Sequence, residues 1–175
     1  MVMPKSKKSK SLPKSTLLFS TSDSDYALIL KPATFAKAEK KALKFGGYLA
    51  DLSTPDENSE VFDSITGLLN RSLYKKSTAS DGGGSSYVWL GGSDSGSEGV
   101  WRWSKSGALI PTDSPEWGKG AMGREPDNFQ GTQHYLALGL ENWPYGSADG
   151  MGFGNAGMWN DIQGGNKLFY LVEFN

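Results

Sequence analysis

From Tyr87 onward the chain breaks into short runs of aromatic and branched residues, YVWLGG, VWRW, YLALGL, MWND and LFYLVEF, joined by glycine-rich links. Such residues sit well on a pleated surface, and runs this brief predict short antiparallel strands. Twenty-three glycines in 175 residues exceed the average share and agree with many turns and loops rather than a helical bundle. The first third reads differently. In TFAKAEKKALKFGG, Phe35, Ala38, Ala42 and Phe45 recur at three- and four-residue steps, which predicts an amphipathic helix that Gly46 stops. YALILK (Tyr26 to Lys31) and YLADL, on either side, are strand candidates. A second helix begins at Thr54, with Pro55 in its first turn and Glu57 completing a capping box. Its expected buried face is Val61, Ile65, Leu68 and Leu69, with Phe62 beside them. Residues 70–86 are a polar Ser/Gly-rich loop, in which Asn70-Arg71-Ser72 matches a glycosylation triplet. Two helices followed by short strands and long loops predict an α+β domain.

The chain has no cysteine, which excludes disulfides, thiol catalysis and zinc–thiolate sites. His134 is the single histidine, so a His-based zinc site or a Ser-His-Asp triad has little to build on, and no serine sits in a GxSxG turn. GFGNAG (residues 152–157) matches GxGxxG, but it runs into an expected strand instead of opening a helix, so it reads as a loop. No apolar run is long enough to span a membrane. The formal net charge of −1 hides an asymmetry: residues 1–14 hold five lysines and no acid, leaving 13 basic against 19 acidic residues, or −6. The acidic body suits a cation better than a polyphosphate. Residues 1–22 read as a basic, disordered arm and residues 23–175 as the folded domain. TLLF is too short for the apolar segment of a signal peptide.

Two polar stretches remain, GREPDNFQGTQHY (residues 123–135) and MWND (residues 158–161). Alone, EPDN favours a surface turn, since Pro, Asp and Asn all do. Taken together, the two stretches offer oxygen ligands for a hard cation.

The order of these features resembles the C-type lectin-like domain over roughly residues 24–174. The helix residues Phe35, Ala38, Ala42, Gly46, Gly47 and Leu49 match that family's spacing. VWLGG and EGVWRWSKSG look like its WIGL strand and the hairpin that follows. EPDN resembles its proline-centred calcium motif, WND its second calcium motif, and FYLVEF its closing strand. The resemblance implies an α+β C-type lectin-like fold with two helices packed on short antiparallel sheets and a long loop region. Family members carry two disulfides. By this alignment Ala42 faces Val172 in place of one, and Tyr135 faces Gly164 in place of the other, as expected of a disulfide-free, bacterial-type variant.

The resemblance also implies a Ca2+ site made of Glu125 and Asp127 around a cis Pro126, Gln133 in place of a later acid, and Asn160 with Asp161. The family's usual Glu, Asn, Glu, Asn, Asp carries three negative charges, and this set does too. The expected calcium affinity is about 10⁻⁴–10⁻³ M or weaker, as for extracellular sites. For a sugar, Glu125, Asp127 and Asn160 are the candidate contacts, with Trp143 as a stacking surface. The swap pairs carboxylate with carboxylate and amide with amide, which leaves mannose-type and galactose-type ligands undistinguished. Glu141 and Asp149 are candidate substitute ligands. Trp89, Trp101, Trp103 and Trp159 are expected in the core, and His134 at a strand edge. The implied function is a calcium-dependent carbohydrate-binding module without catalysis, secreted or at the cell surface. Its partner would be a glycan or glycoprotein, not nucleic acid. The other reading is a domain that binds a protein or surface ligand, with calcium structural or absent.

Overall fold

The computed structural model describes residues 11–175. The proposed arm therefore lies partly outside the described residues, at 1–10. The remainder corrects it: β1 (Thr16–Ser20) pairs antiparallel with β2 (Asp25–Ala33), from Thr16 opposite Ile29 to Ser20 opposite Asp25. The five-residue TLLFS segment carries enough apolar surface to cover an edge strand, and Phe19 stacks on Tyr26 at 5.2 Å between ring centroids.

Helix α1 (Phe35–Lys44) is capped by Thr34, whose side chain accepts from the Lys37 N–H, and it buries Phe35, Ala38 and Ala42 as its periodicity predicts. The chain then turns through Gly46 at φ 87° into β3 (Tyr48–Leu49), much shorter than YLADL. Helix α2 (Pro55–Leu68) starts where the capping signature places it, with the Thr54 hydroxyl accepting from the Glu57 N–H at 3.1 Å. The Glu57 carboxylate does not close the box on Thr54. It accepts from the Ser53 N–H at 3.2 Å and from the Tyr26 hydroxyl at 2.6 Å. Val61, Ile65 and Leu69 are buried, but Leu68, the last residue of the helix, is 50% exposed even though its three-residue step from Ile65 puts it on the same stripe.

The strands β4 (Tyr87–Ser93), β5 (Trp101–Trp103), β6 (Leu109–Ile110), β9 (Tyr135–Gly139), β10 (Trp159–Ile162) and β11 (Leu168–Phe174) build one sheet with the first three. Its main path runs β1-β2-β11-β4-β5-β6, with β3 on β11, β9 on β4, and β10 on β9. The β11–β4 pair is parallel and every other pair antiparallel. A separate ribbon, β7 (Lys119–Gly120) with β8 (Gly123–Arg124), leads into the EPDN stretch.

Two buried clusters flank the sheet. One holds Trp101, Trp103, Trp117 and Trp159 with the α2 face, and the other holds Trp89, Tyr87 and Trp143 with the α1 face. Ala42 and Val172 belong to the second cluster. Where Gly164 would place a Cβ, the ring of Tyr135 stands 2.7 Å away. That ring also packs on Phe35 at 4.3 Å and on Trp89 at 6.5 Å. An aromatic lying on a glycine thus joins the start of β9 to the β10–β11 turn.

Candidate metal and ligand site

β10 is buried along its whole length, and its alternation sends successive side chains to opposite faces of the sheet. Trp159 enters the α2-side cluster and Ile162 the α1-side cluster. Its position is fixed from several directions. The Trp159 indole donates to Asn58 Oδ1 of α2 at 2.8 Å, and the main chain of Trp159 pairs with Gly118 and Glu116. Gly118 in turn accepts the Glu125 N–H at 2.7 Å. The strand carrying Asn160 and Asp161 therefore also positions the EPDN loop.

The two loops converge. Carboxylate oxygens of Glu125, Asp127 and Asp161 lie within 4.8 Å of one another, and the Glu125–Pro126 peptide is cis. Asp161 is fully buried and accepts the N–H groups of Asp127 at 3.2 Å and Asn128 at 2.7 Å. Asn128 adopts a left-handed backbone at φ 48°, which turns these consecutive N–H groups toward one carboxylate. Glu125 is 4% exposed; its Oε1 accepts from the Trp143 indole N–H at 3.0 Å, and its buried Oε2 has no partner. Asn160, 2% exposed, donates to the Tyr87 hydroxyl at 3.0 Å, and its buried Oδ1 has no partner either. A buried acceptor without a donor costs about 1–3 kcal/mol, so two of them beside one carboxylate cluster fit a cation. Burial pushes Glu125 up to about 9, against the Trp143 hydrogen bond, and Asp161 and Asp127 add repulsion. Burial likewise raises Asp161 to about 6, against its backbone donors.

Not every expected ligand is free. Gln133 is buried, but its Oε1 accepts the Phe129 N–H at 2.8 Å, while its Nε2 donates to the main-chain and carboxylate oxygens of Asp81 at 2.9 Å. It holds the loop together more directly than it faces an ion. Trp143 corrects the stacking assignment. It is 2% exposed, and its ring atoms stand 2.2–2.6 Å from where Cβ atoms of Gly118, Gly139 and Gly154 would be. Only glycine leaves room for the indole there, so Trp143 anchors the long loop and orients Glu125. Gly154 belongs to GFGNAG, which is a loop as read. Glu141 and Asp149 lie away from the carboxylate cluster: Asp149 accepts from the Asn142 amide at 2.8 Å, and Glu141 is 3.4 Å from the Ser86 N–H. His134 is more than a strand-edge residue, since its Nδ1 lies 3.0 Å from Asp94 and 3.2 Å from Glu98.

Glu125, Asp127, Gln133, Trp143 and Asn160 line a cavity of about 290 Å³. Its other walls were not legible in the sequence: Ser80, Asp81, Gly82 and Gly83 from the polar loop, and Phe129, Pro144 and Phe153. Asp81 stands fifty-two residues before Gln133 and accepts also from the Gln163 N–H at 2.8 Å and the Asn166 amide at 2.5 Å. No local signal announces so distant a partnership.

No protein-family model matches the sequence, and no curated protein matches it. Solved structures do. The mouse scavenger receptor C-type lectin carbohydrate-recognition domain aligns over 93% of this chain and 95% of its own, at 18% identity and a TM-score of 0.60. The C-type lectin CEL-I from Cucumaria echinata aligns over 95% and 99%, at 17% identity and 0.62. The chain has the C-type lectin-like fold. A third structure with this C-type lectin-like architecture is the herring type II antifreeze protein, at 17% identity and 0.57 over 93% of this chain and 97% of that one. The fold is thus shared by proteins named as lectins and by one named for another activity, and the neighbours are binding proteins rather than enzymes. Among the described residues, no helix is long and apolar enough to cross a membrane.

Proposed function

We propose that this domain is a calcium-dependent carbohydrate-binding module, acting without catalysis on glycans outside the cell. The observation that carries this reading is the pair of buried, unpartnered oxygens, Glu125 Oε2 and Asn160 Oδ1, at a site that also gathers the carboxylates of Asp127 and Asp161. Hard cations take oxygen ligands of this mixture. Glu125, Asp127, Asn160 and Asp161 would hold the ion, and the ion would supply a fixed positive centre for ligand hydroxyls. Phe129, 52% exposed and lining the cavity, takes over the apolar contact first assigned to Trp143. Ser80 and Asp81 provide polar contacts on the loop side.

A second reading, a domain for a protein or surface ligand with calcium structural or absent, draws on Gln133. With its amide spent on Phe129 and Asp81, one expected ligand is already engaged.

Thermal unfolding of the full chain with calcium and with chelator tests the metal. Saturation at about tenfold excess over Kd should raise the midpoint by about 3–6 °C, and Glu125→Gln should lose that rise. Retention on immobilised mannose and galactose, compared in calcium and in chelator, tests the ligand. Retention that survives the chelator unchanged would rule out a calcium-bridged mechanism.

A further inference from the structure

The described residues offer several unassigned features. The Asp94–Glu98–His134 cluster has its groups satisfied by one another and by neighbouring donors. The acidic depression around Asp51, Glu57 and Glu173 has both glutamates fully engaged by hydrogen bonds. That depression leaves one buried acceptor unmet, Asp51 Oδ1, whereas the cavity beside Glu125 leaves two, Glu125 Oε2 and Asn160 Oδ1.

We propose that this cavity takes the protonated amine of a hexosamine, seated on Glu125, Asp127 and Asn160 without a metal ion. Three acceptors are available. Glu125 Oε2 and Asn160 Oδ1 are buried without partners, in side chains more than nine-tenths buried. Asp127 uses one carboxylate oxygen on the Phe129 N–H at 3.0 Å, and its other oxygen has no hydrogen-bond partner among the described residues. An ammonium group carries three donors and no acceptor, which matches this set in number and kind. A hydroxyl or an N-acetyl amide brings one donor and leaves two acceptors unmet.

The dimensions agree. The carboxylate oxygens of Glu125 and Asp127 lie within 4.8 Å of each other, so a point between them can sit about 2.8 Å from both, the length of a charge-assisted N–H···O bond, and Asn160 lines the same cavity. Phe129 and Phe153 line the same space, offering faces to a cation and to the C–H side of a pyranose. At about 290 Å³ the cavity sits at the small end for ligand pockets, which suits one sugar ring rather than a continuous chain. Ser80 and Asp81 supply polar contacts for ring hydroxyls. This inference goes beyond the calcium reading and does not rest on it, since ammonium and ion would occupy the same oxygens in turn.

The test is a titration of the full chain in chelator, followed by thermal midpoint, at a pH where the free amines are protonated. Glucosamine and galactosamine are the probes, with N-acetylglucosamine and glucose as controls. At about tenfold excess over Kd the amines should raise the midpoint by about 3–6 °C and the controls should leave it unmoved. Asp127→Asn, at an exposed position, should abolish the shift, as should Glu125→Gln. Equal shifts from glucosamine and N-acetylglucosamine overturn the proposal. So does the absence of a shift from both amines, or an undiminished shift in Asp127→Asn. A lost calcium shift beside an intact amine shift counts against the metal reading alone, and the reverse result counts against this one alone.

Discussion

At the scale of single residues, Glu125 and Asp161 set how the site responds to pH. Burial lifts them to about 9 and about 6, from ordinary values of 4.5 and 3.8. Without a cation, the folded chain keeps protons that the unfolded chain has released. The contribution of this pair to stability is therefore greatest below the ordinary values and declines as pH climbs toward about 9. A divalent ion on the same oxygens reverses the preference by favouring the ionised forms. The midpoint in chelator should fall between pH 5 and pH 9, while the calcium-induced rise should grow over that interval. Asp51, Glu57 and Glu173 are also raised by burial and add to the slope in chelator, so the calcium-dependent difference is the quantity to measure. A calcium effect that shrinks as pH increases would count against these carboxylates as ligands.

At the scale of elements, legibility followed the reach of the signal. Helices α1 and α2 were readable because apolar spacing, Thr54 and Gly46 act within a turn or two of chain. The same local signal misassigned Leu68, since it does not show where the helix ends relative to the core. EPDN and WND were readable as oxygen-rich stretches, and their convergence is a property of β10 and its partners. Trp143 was not readable as an anchor, because its surroundings come from Gly118, Gly139 and Gly154 on separate segments. The loop carrying Ser80 to Gly83 was read only as polar, for the same reason. Trp143→Ala should cost about 3–5 kcal/mol, as for other buried aromatics, and should weaken calcium by freeing Glu125. Gly154→Ala forces a methyl against the indole and should cost about 1–3 kcal/mol. Denaturant unfolding of both variants checks these values. A fully stable Gly154→Ala would show that the loop yields there.

At the scale of the whole molecule, β1 closes one edge of the sheet. Its lysine-rich lead-in concealed it in the sequence, since five residues of moderate apolarity say little until β2 lies beside them. Removing residues 1–21 should bare the β2 edge, lower the midpoint and promote association through unpaired backbone groups. Light scattering and thermal unfolding would detect both effects, and an unchanged midpoint would reduce β1 to a decoration. The Tyr135 ring resting on Gly164 has a further consequence. The clasp that keeps the loop region next to helix α1 is made of packing, so no oxidant is needed to form it and no reductant can undo it. Dithiothreitol should leave folding and ligand capture intact, and the domain can mature wherever it is synthesised, in a thiol-rich cytosol or beyond it.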